Sequence, residues 1–303
     1  MFSGCLVRKL RRIWFSAAGN FRKWKGNPNI ALVFGLAFVI SFLLSDKVVA
    51  FSVQHDTLLC ILEPFIWTFG DADSILVISL LLLLLFADLP NLGNEVPFFL
   101  VRTSRVAWLA GQILYLMLAT FALMGFILLS TCILAGQRAY TANLWSETAA
   151  ILGYSDIGEH IAVPAFVKVL ELSFPYKCTL HVFGLMTGYS LLLASIVLYL
   201  NLWKKKGGII GGILFSGFGF LLNADVLCAV FHIGSEGRRY ANILFGWISP
   251  LNHATYYMHN FGYDNLPKLW MSYLFFAGGS CVLFLLSMHK IKTYSFDFTG
   301  TQR

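Results

Sequence analysis

"FADLPNLGNEVPFFLVRTSRVAWLAGQ", residues 86–112, interrupts a chain otherwise committed to hydrocarbon. Six consecutive leucines, residues 80–85, lead into it, and an apolar run over 106–135 follows. The interlude itself holds Asp88, Pro90, Gly93, Glu95, Pro97, Arg102 and Arg105. Of 303 residues, 58% are hydrophobic and 12% are charged, whereas a soluble globular chain carries about 25% charged residues. So little charge cannot cover a water-exposed surface of ordinary size. The sequence specifies an integral membrane protein.

A helix that crosses a bilayer needs about 20 mostly apolar residues. Six runs are candidates: 29–44, 74–89, 106–135, 179–203, 208–233 and 269–288. The second is short, so it either recruits part of "FIWTFG", residues 65–70, or is locally distorted. Short alternating segments of the kind a barrel needs do not occur. Lipid offers the backbone no hydrogen-bond partners, so uninterrupted runs of this length are helices. The expected architecture is all-α: residues 1–28 as an interfacial helix, then one six-span domain over 29–303.

Lysine and arginine placement orients the spans. With the N-terminus inside, the segments 1–28, 90–105, 204–206 and 289–303 hold fifteen of the 22 basic residues, and the outer segments hold seven. The acids run the other way, with Asp46, Glu63, Glu147 and Asp264 among those outside. Both termini are therefore expected in the cytoplasm. The net charge of +7 is accounted for by topology, and no nucleic-acid partner is expected. A basic start, an apolar run and "VVA" at 48–50 imitate a cleaved signal peptide, but the basic region is too long for one.

On a helical wheel at 100° per residue, Leu10, Trp14, Ala17, Phe21 and Trp24 fall within about 80° of one another. Arg8, Arg11, Arg12, Arg22 and Lys23 lie opposite. Aromatics in the acyl boundary and basic groups toward anionic headgroups make a helix lying on the membrane. Gly19 and Asn20 are expected to weaken or bend it. The plainer alternative is a basic flank that only orients the first span.

The outer segment 136–178 is long, and it is expected to carry one or two short helices broken at Pro164 and Pro175. Its Glu147, Asp156, Glu159 and His160 match no metal-ligand spacing and read as a solvated acidic face. Cys60 and Cys178 both fall outside, where a disulfide between them is open. In the fifth span, Gly208, Gly212, Ser216, Gly219 and Asn223 share one stripe. Two readings stand for it: packing within the bundle, or a seam against a second copy or a paralogous subunit. Asp225 is the one acid well inside a span, about 28 Å above Lys206 at 1.5 Å per residue. It is either a substrate contact or a hydrated helix end. The segment "YANILFGWISPLNHATYYMHNFGYDN", residues 240–265, is aromatic and broken at Ser249-Pro250. It reads as a helix–break–helix dipping into the outer leaflet, or as an aromatic belt on a surface loop.

With that topology the opening stretch is a cytoplasmic loop between spans two and three. Asn94 can cap a helix there, Glu95 complements its dipole, and Pro97 is tolerated in its first turn. Phe98, Val101, Arg102 and Arg105 then share one face. Exposed phenylalanines on such a helix need headgroups or a soluble partner to bury them.

The run over 81–115 resembles the second span and coupling helix of the ABC-2 type transporter permeases, in a Gram-positive branch. The shared pattern is F-A-D-x-P, here 86–90, followed by R-[TS]-x-R-x-x-W, here 102–108. "LEPFIW" at 62–67 and "WISPLN" at 247–252 are similar to the same branch. The resemblance implies an N-terminal interfacial helix, six spans, a re-entrant segment before the last span, and a homo- or heterodimer working with two cytoplasmic ATPase subunits. It implies that Asn94, Glu95, Phe98, Phe99, Arg102 and Arg105 enter a cleft on the ATPase. ATP and Mg would then bind the partner, and this chain would carry no cofactor and no catalysis. Consistently, the phosphate-cradling G-x-x-x-x-G-K-[ST] is absent from the sequence. The implied activity is export of a hydrophobic or amphipathic substrate, peptide or lipid-like, across a bacterial cell membrane. Three other classes remain in view: an intramembrane enzyme, an ion-coupled carrier and a membrane anchor or sensor. The first lacks H-E-x-x-H, and the second lacks ionisable groups near the midplane.

Overall fold

A computed structural model describes residues 2–90, 92, 96–204, 207–221, 224–232 and 238–296, without the side chains of 2–6, 159, 224 and 225. In chain order the helices are α1 (Phe2–Arg22), α2 (Pro28–Gln54), α3 (Glu63–Thr68), α4 (Ala72–Phe86), α5 (Val96–Arg102) and α6 (Arg105–Ala135). They continue with α7 (Glu147–Tyr154), α8 (Ile157–His160), α9 (Val167–Leu172), α10 (Pro175–Trp203), α11 (Gly207–Leu221) and α12 (Ala224–Val230). The last are α13 (Arg238–Ile248), α14 (Pro250–Ala254) and α15 (Leu269–Lys290). The chain is all-α in character, and α2, α6, α10 and α15 are long and apolar enough to cross a membrane. Both α4 and α11 are apolar but have 15 residues each, about 22 Å at 1.5 Å per residue.

The "FIWTFG" run does not lengthen α4. It forms α3, every residue of which is buried, and the Asp71 carboxylate then caps α4 by accepting the Ser74 N–H at 3.0 Å. A new N-cap needs extended backbone, so the helix breaks there. Asn27 starts α2 the same way, accepting from the Asn29 N–H at 3.0 Å, with Pro28 in the first turn.

The fully buried core runs through Ile75, Ile78 and Leu82 of α4, Leu109 and Leu116 of α6, and Tyr189 of α10. Tyr189 reaches across it, its hydroxyl 2.8 Å from Ser79 Oγ and 3.4 Å from Ser216 Oγ. The small residues of α11 are spent inside the chain. A Cβ on Gly208 would lie 2.4 Å from the Val197 carbonyl, on Gly212 2.2 Å from Leu83 and on Gly219 3.0 Å from Leu251. With Ser216 buried as well, this stripe packs on α10, α4 and α14 rather than standing open for a second copy. Asn223 of the same stripe lies outside the described residues, as does the Asp225 side chain.

Beyond the C-terminal ends of α2 and α6 the connections knit into one cap. A two-residue parallel pairing joins Leu59–Cys60 to Ala139–Tyr140, Thr57 and Thr148 share a 2.7 Å hydrogen bond, and Trp145 Nε1 donates to the Ser173 carbonyl at 2.7 Å. Segment 136–178 carries three short helices, α7 to α9, with Pro164 between the last two and Pro175 opening α10. Cys60 and Cys178 are both buried free thiols, so no disulfide joins them. Helices α13 and α14 meet at the Ser249-Pro250 break, where Ser249 Oγ donates to the Gly219 carbonyl at 2.9 Å.

Candidate functional site

The interlude that opens the sequence folds into α5, seven residues strung between α4 and α6. Val96 is buried, and Phe99 and Leu100 pack against the core. Phe98 is 75% exposed and Val101 88% exposed. The helix therefore has one anchored side and one bare apolar side. It ends at Arg102, where the Thr103 hydroxyl donates to the Phe99 carbonyl at 2.6 Å, and Ser104 begins the next helix by accepting from the Ala107 N–H at 3.3 Å.

That cap corrects one expectation. Arg105 does not share the face of Phe98, Val101 and Arg102, because the Ser104 break moves it into the first turn of α6. Its guanidinium donates to the carbonyls of Lys292 and Tyr294, both at 3.0 Å, and sits 5.4 Å from the Phe296 ring centre. Arg105 thus ties the segment after α15 to the start of α6. Asn94 and Glu95 lie outside the described residues.

Beside α5 runs α1, which continues helical through Gly19 and Asn20 to Arg22 before a 3₁₀ turn over Lys23–Gly26. Gly19 lies against Phe99, a Cβ there being 3.4 Å from its ring. Much of the apolar stripe faces protein rather than lipid. Ala17 is buried, Trp24 Nε1 donates to the Tyr115 hydroxyl at 2.9 Å, and the Phe21 ring meets Tyr115 at 5.0 Å. Gly111 allows the approach, since its Cβ would fall 2.4 Å from Ser16. Leu10 and Trp14, each 57% exposed, carry the open part of the stripe. Arg11 stacks over Phe15 at 5.3 Å.

Between α1 and α5 opens a cleft of about 1350 Å³ lined by Arg12, Phe15, Gly19, Arg22, Lys23, Phe98, Phe99 and Arg102. Four cations and three phenylalanines line it, with no carboxylate among the described lining residues. Such a surface attracts an anionic, amphipathic partner. Beneath it, Gln112 Nε2 donates to Asn20 Oδ1 at 3.5 Å, leaving Asn20 Nδ2 and Gln112 Oε1 unpaired.

Two buried polar centres escaped the sequence reading. Glu63, counted there among the outer acids, is fully buried. Its carboxylate accepts from the Ser146 N–H at 2.7 Å, the Ser146 hydroxyl at 2.6 Å and the Cys60 N–H at 3.2 Å. Burial pushes it up to about 7 against the opposing pull of these donors. The other is a trio formed by His253 of α14, His259 and Ser272 of α15, all buried. No local spacing joins residues so separated, and only the "SP" break hinted at a turn there. Among the described residues no group of three His, Cys, Asp or Glu could hold a metal ion.

No protein-family model, curated protein or solved structure matches the chain.

Proposed function

We propose that the chain is the permease subunit of an ABC transporter of the ABC-2 type. On this reading six crossings, with α4 and α11 as the short ones, keep both termini and α5 on one side, and the excess of lysine and arginine there makes it the cytoplasm of a bacterial cell, with the cap outside. A separate cytoplasmic ATPase binds ATP and Mg and drives the subunit, which works with a second copy or a paralogue. The observation that carries the reading is the bare apolar side of α5, Phe98 and Val101, on a helix whose other side packs on the core. Apolar side chains left bare beside one another on this helix fit a soluble partner that covers them. Arg102 beside them supplies a charge for register. A push on α5 passes to α6 through buried Val96, which lies beside Trp108 and Gln112, and through the Ser104 cap.

The cargo suggested by so apolar a bundle is hydrophobic or amphipathic, a peptide or a lipid, moved outward. The exposed Leu10 and Trp14 of α1 and the basic residues beside them rest on membrane lipids. The test is copurification. Phe98→Asp leaves the subunit in the membrane but strips the ATPase from it, together with ATP-dependent transport. Retention of both in the variant overturns the assignment.

A further inference from the structure

Ser272 differs from most of its kind in this chain. Ser41, Ser79, Ser190 and Ser287 each give their hydroxyl proton to the carbonyl four residues back, at 2.6–2.8 Å. The Ser272 hydroxyl instead meets two imidazoles, His253 Nδ1 at 2.7 Å and His259 Nε2 at 2.8 Å. The far nitrogens face backbone carbonyls, His253 Nε2 with Trp247 at 2.9 Å and His259 Nδ1 with Tyr256 at 3.0 Å.

Counting hydrogens in this chain of contacts is decisive. There are four contacts, and each needs one proton between its two heavy atoms. Neither carbonyl can donate, so both far nitrogens must be N–H. A neutral imidazole has only one N–H, so both near nitrogens are then lone pairs aimed at Ser272. The serine has one proton and satisfies one of them. Two neutral histidines and a serine supply three protons for four contacts. The missing one makes a single imidazolium, which would donate to Ser272 while Ser272 donates to the other ring.

We propose that His253, Ser272 and His259 form a binding site for one proton on the outer side of the fold, whose occupancy latches the segment 250–259 onto the first turn of α15. A second proton is opposed by charge, because it would set two imidazolium cations against one buried hydroxyl.

The surroundings set when the site fills. His253 stacks on Phe275 at 5.0 Å. Lys168 of α9 donates to the His259 carbonyl at 2.7 Å and pairs with Asp264. From α10 come His181, stacked 5.8 Å from Tyr256, and Lys177 near it. The cap of α4 brings Asp71 and Asp73 toward Tyr257, α15 brings Tyr273, α13 begins with Arg238 and Arg239, and α11 brings no titratable group. Burial first, then the neighbouring histidine and Lys168, hold His259 down to about 4, and burial lowers His253 too. The site is therefore empty at neutral pH, with one contact unmade, and fills on acidification of the outer medium. This does not rest on the transporter reading.

The test is a titration of the ¹⁵N-histidine-labelled full chain in lipid nanodiscs from pH 7.5 to 2.5, with the two rings assigned by His253→Gln and His259→Gln. The expected result is one midpoint common to both rings and one proton taken up between them. Separate midpoints, two protons, or two rings still neutral at pH 2.5 overturn the proposal. Ser272→Ala retains both rings but removes the bridge. It is expected to lower proton affinity about tenfold, as loss of a hydrogen bond to a charged group does. An unchanged midpoint overturns the proposal equally, and the wild-type titration decides if that variant does not fold.

Discussion

Glu63 links two connections of the cap through a fully buried carboxyl, and its ionisation sets how stability varies with pH. The unfolded chain holds this group near its ordinary 4.5, and the folded chain near 7. Between those values the folded state keeps a proton that the unfolded state has released. Stability therefore falls as pH rises through this window and levels off above it. At 1.36 kcal/mol per pH unit the full span is about 3 kcal/mol, of which about 2 kcal/mol falls between pH 5.5 and 8.5. Glu63→Gln removes the titration. It also sets an amide NH₂ against the Cys60 N–H or the Ser146 donors, which costs about 1–3 kcal/mol at every pH. Thermal unfolding of the detergent-solubilised chain reads both effects. The wild type loses several degrees of Tm relative to the variant as pH rises from 5.5 to 8.5, while the variant starts lower. Parallel curves would refute the reasoning. So would a wild type that gains on the variant with rising pH, since the three donors would then outweigh burial.

Four further outcomes follow from the packing. Gly212→Ala drives a methyl to within 2.2 Å of Leu83 and costs about 1–3 kcal/mol by overpacking. Gly217→Ala, with nothing within 4 Å of the new Cβ, is neutral or stabilising in the same thermal assay. Trp24→Phe removes the indole donor to Tyr115 and lowers stability by about 1 kcal/mol, which a denaturant midpoint will show. Arg105→Met removes both bonds to the segment after α15 and makes that segment more susceptible to limited proteolysis, with α1 to α15 unchanged in circular dichroism.

The membrane class and the four long helices were legible because a run of some 20 apolar residues has no other stable form in lipid. The break between α3 and α4 was half legible. Length alone said that residues 74–89 were short, but Gly70 and the Asp71 cap decided that the preceding aromatics turn aside. Helical spacing put Arg105 on the face of Phe98, because spacing assumes an unbroken helix and Ser104 interrupts it. The wheel found the apolar stripe of α1 but had no means of separating lipid from protein as its cover. Only Gly111, some ninety residues on, makes the close approach to α6. Glu63 looked like any outer acid because its donors come from Cys60 nearby and Ser146 far away. The histidine pair was invisible for the same reason, since the serine that joins the rings lies on another helix.

The side of the membrane on which α5 stands, and what covers it there, can be read in one experiment. A single cysteine at position 101, in a chain otherwise free of cysteine, is treated with a membrane-impermeant maleimide in inverted and right-side-out vesicles. The account predicts labelling in inverted vesicles alone, suppressed when the ATPase subunit is coexpressed. Labelling of right-side-out vesicles, or labelling that the ATPase leaves undiminished, would contradict it.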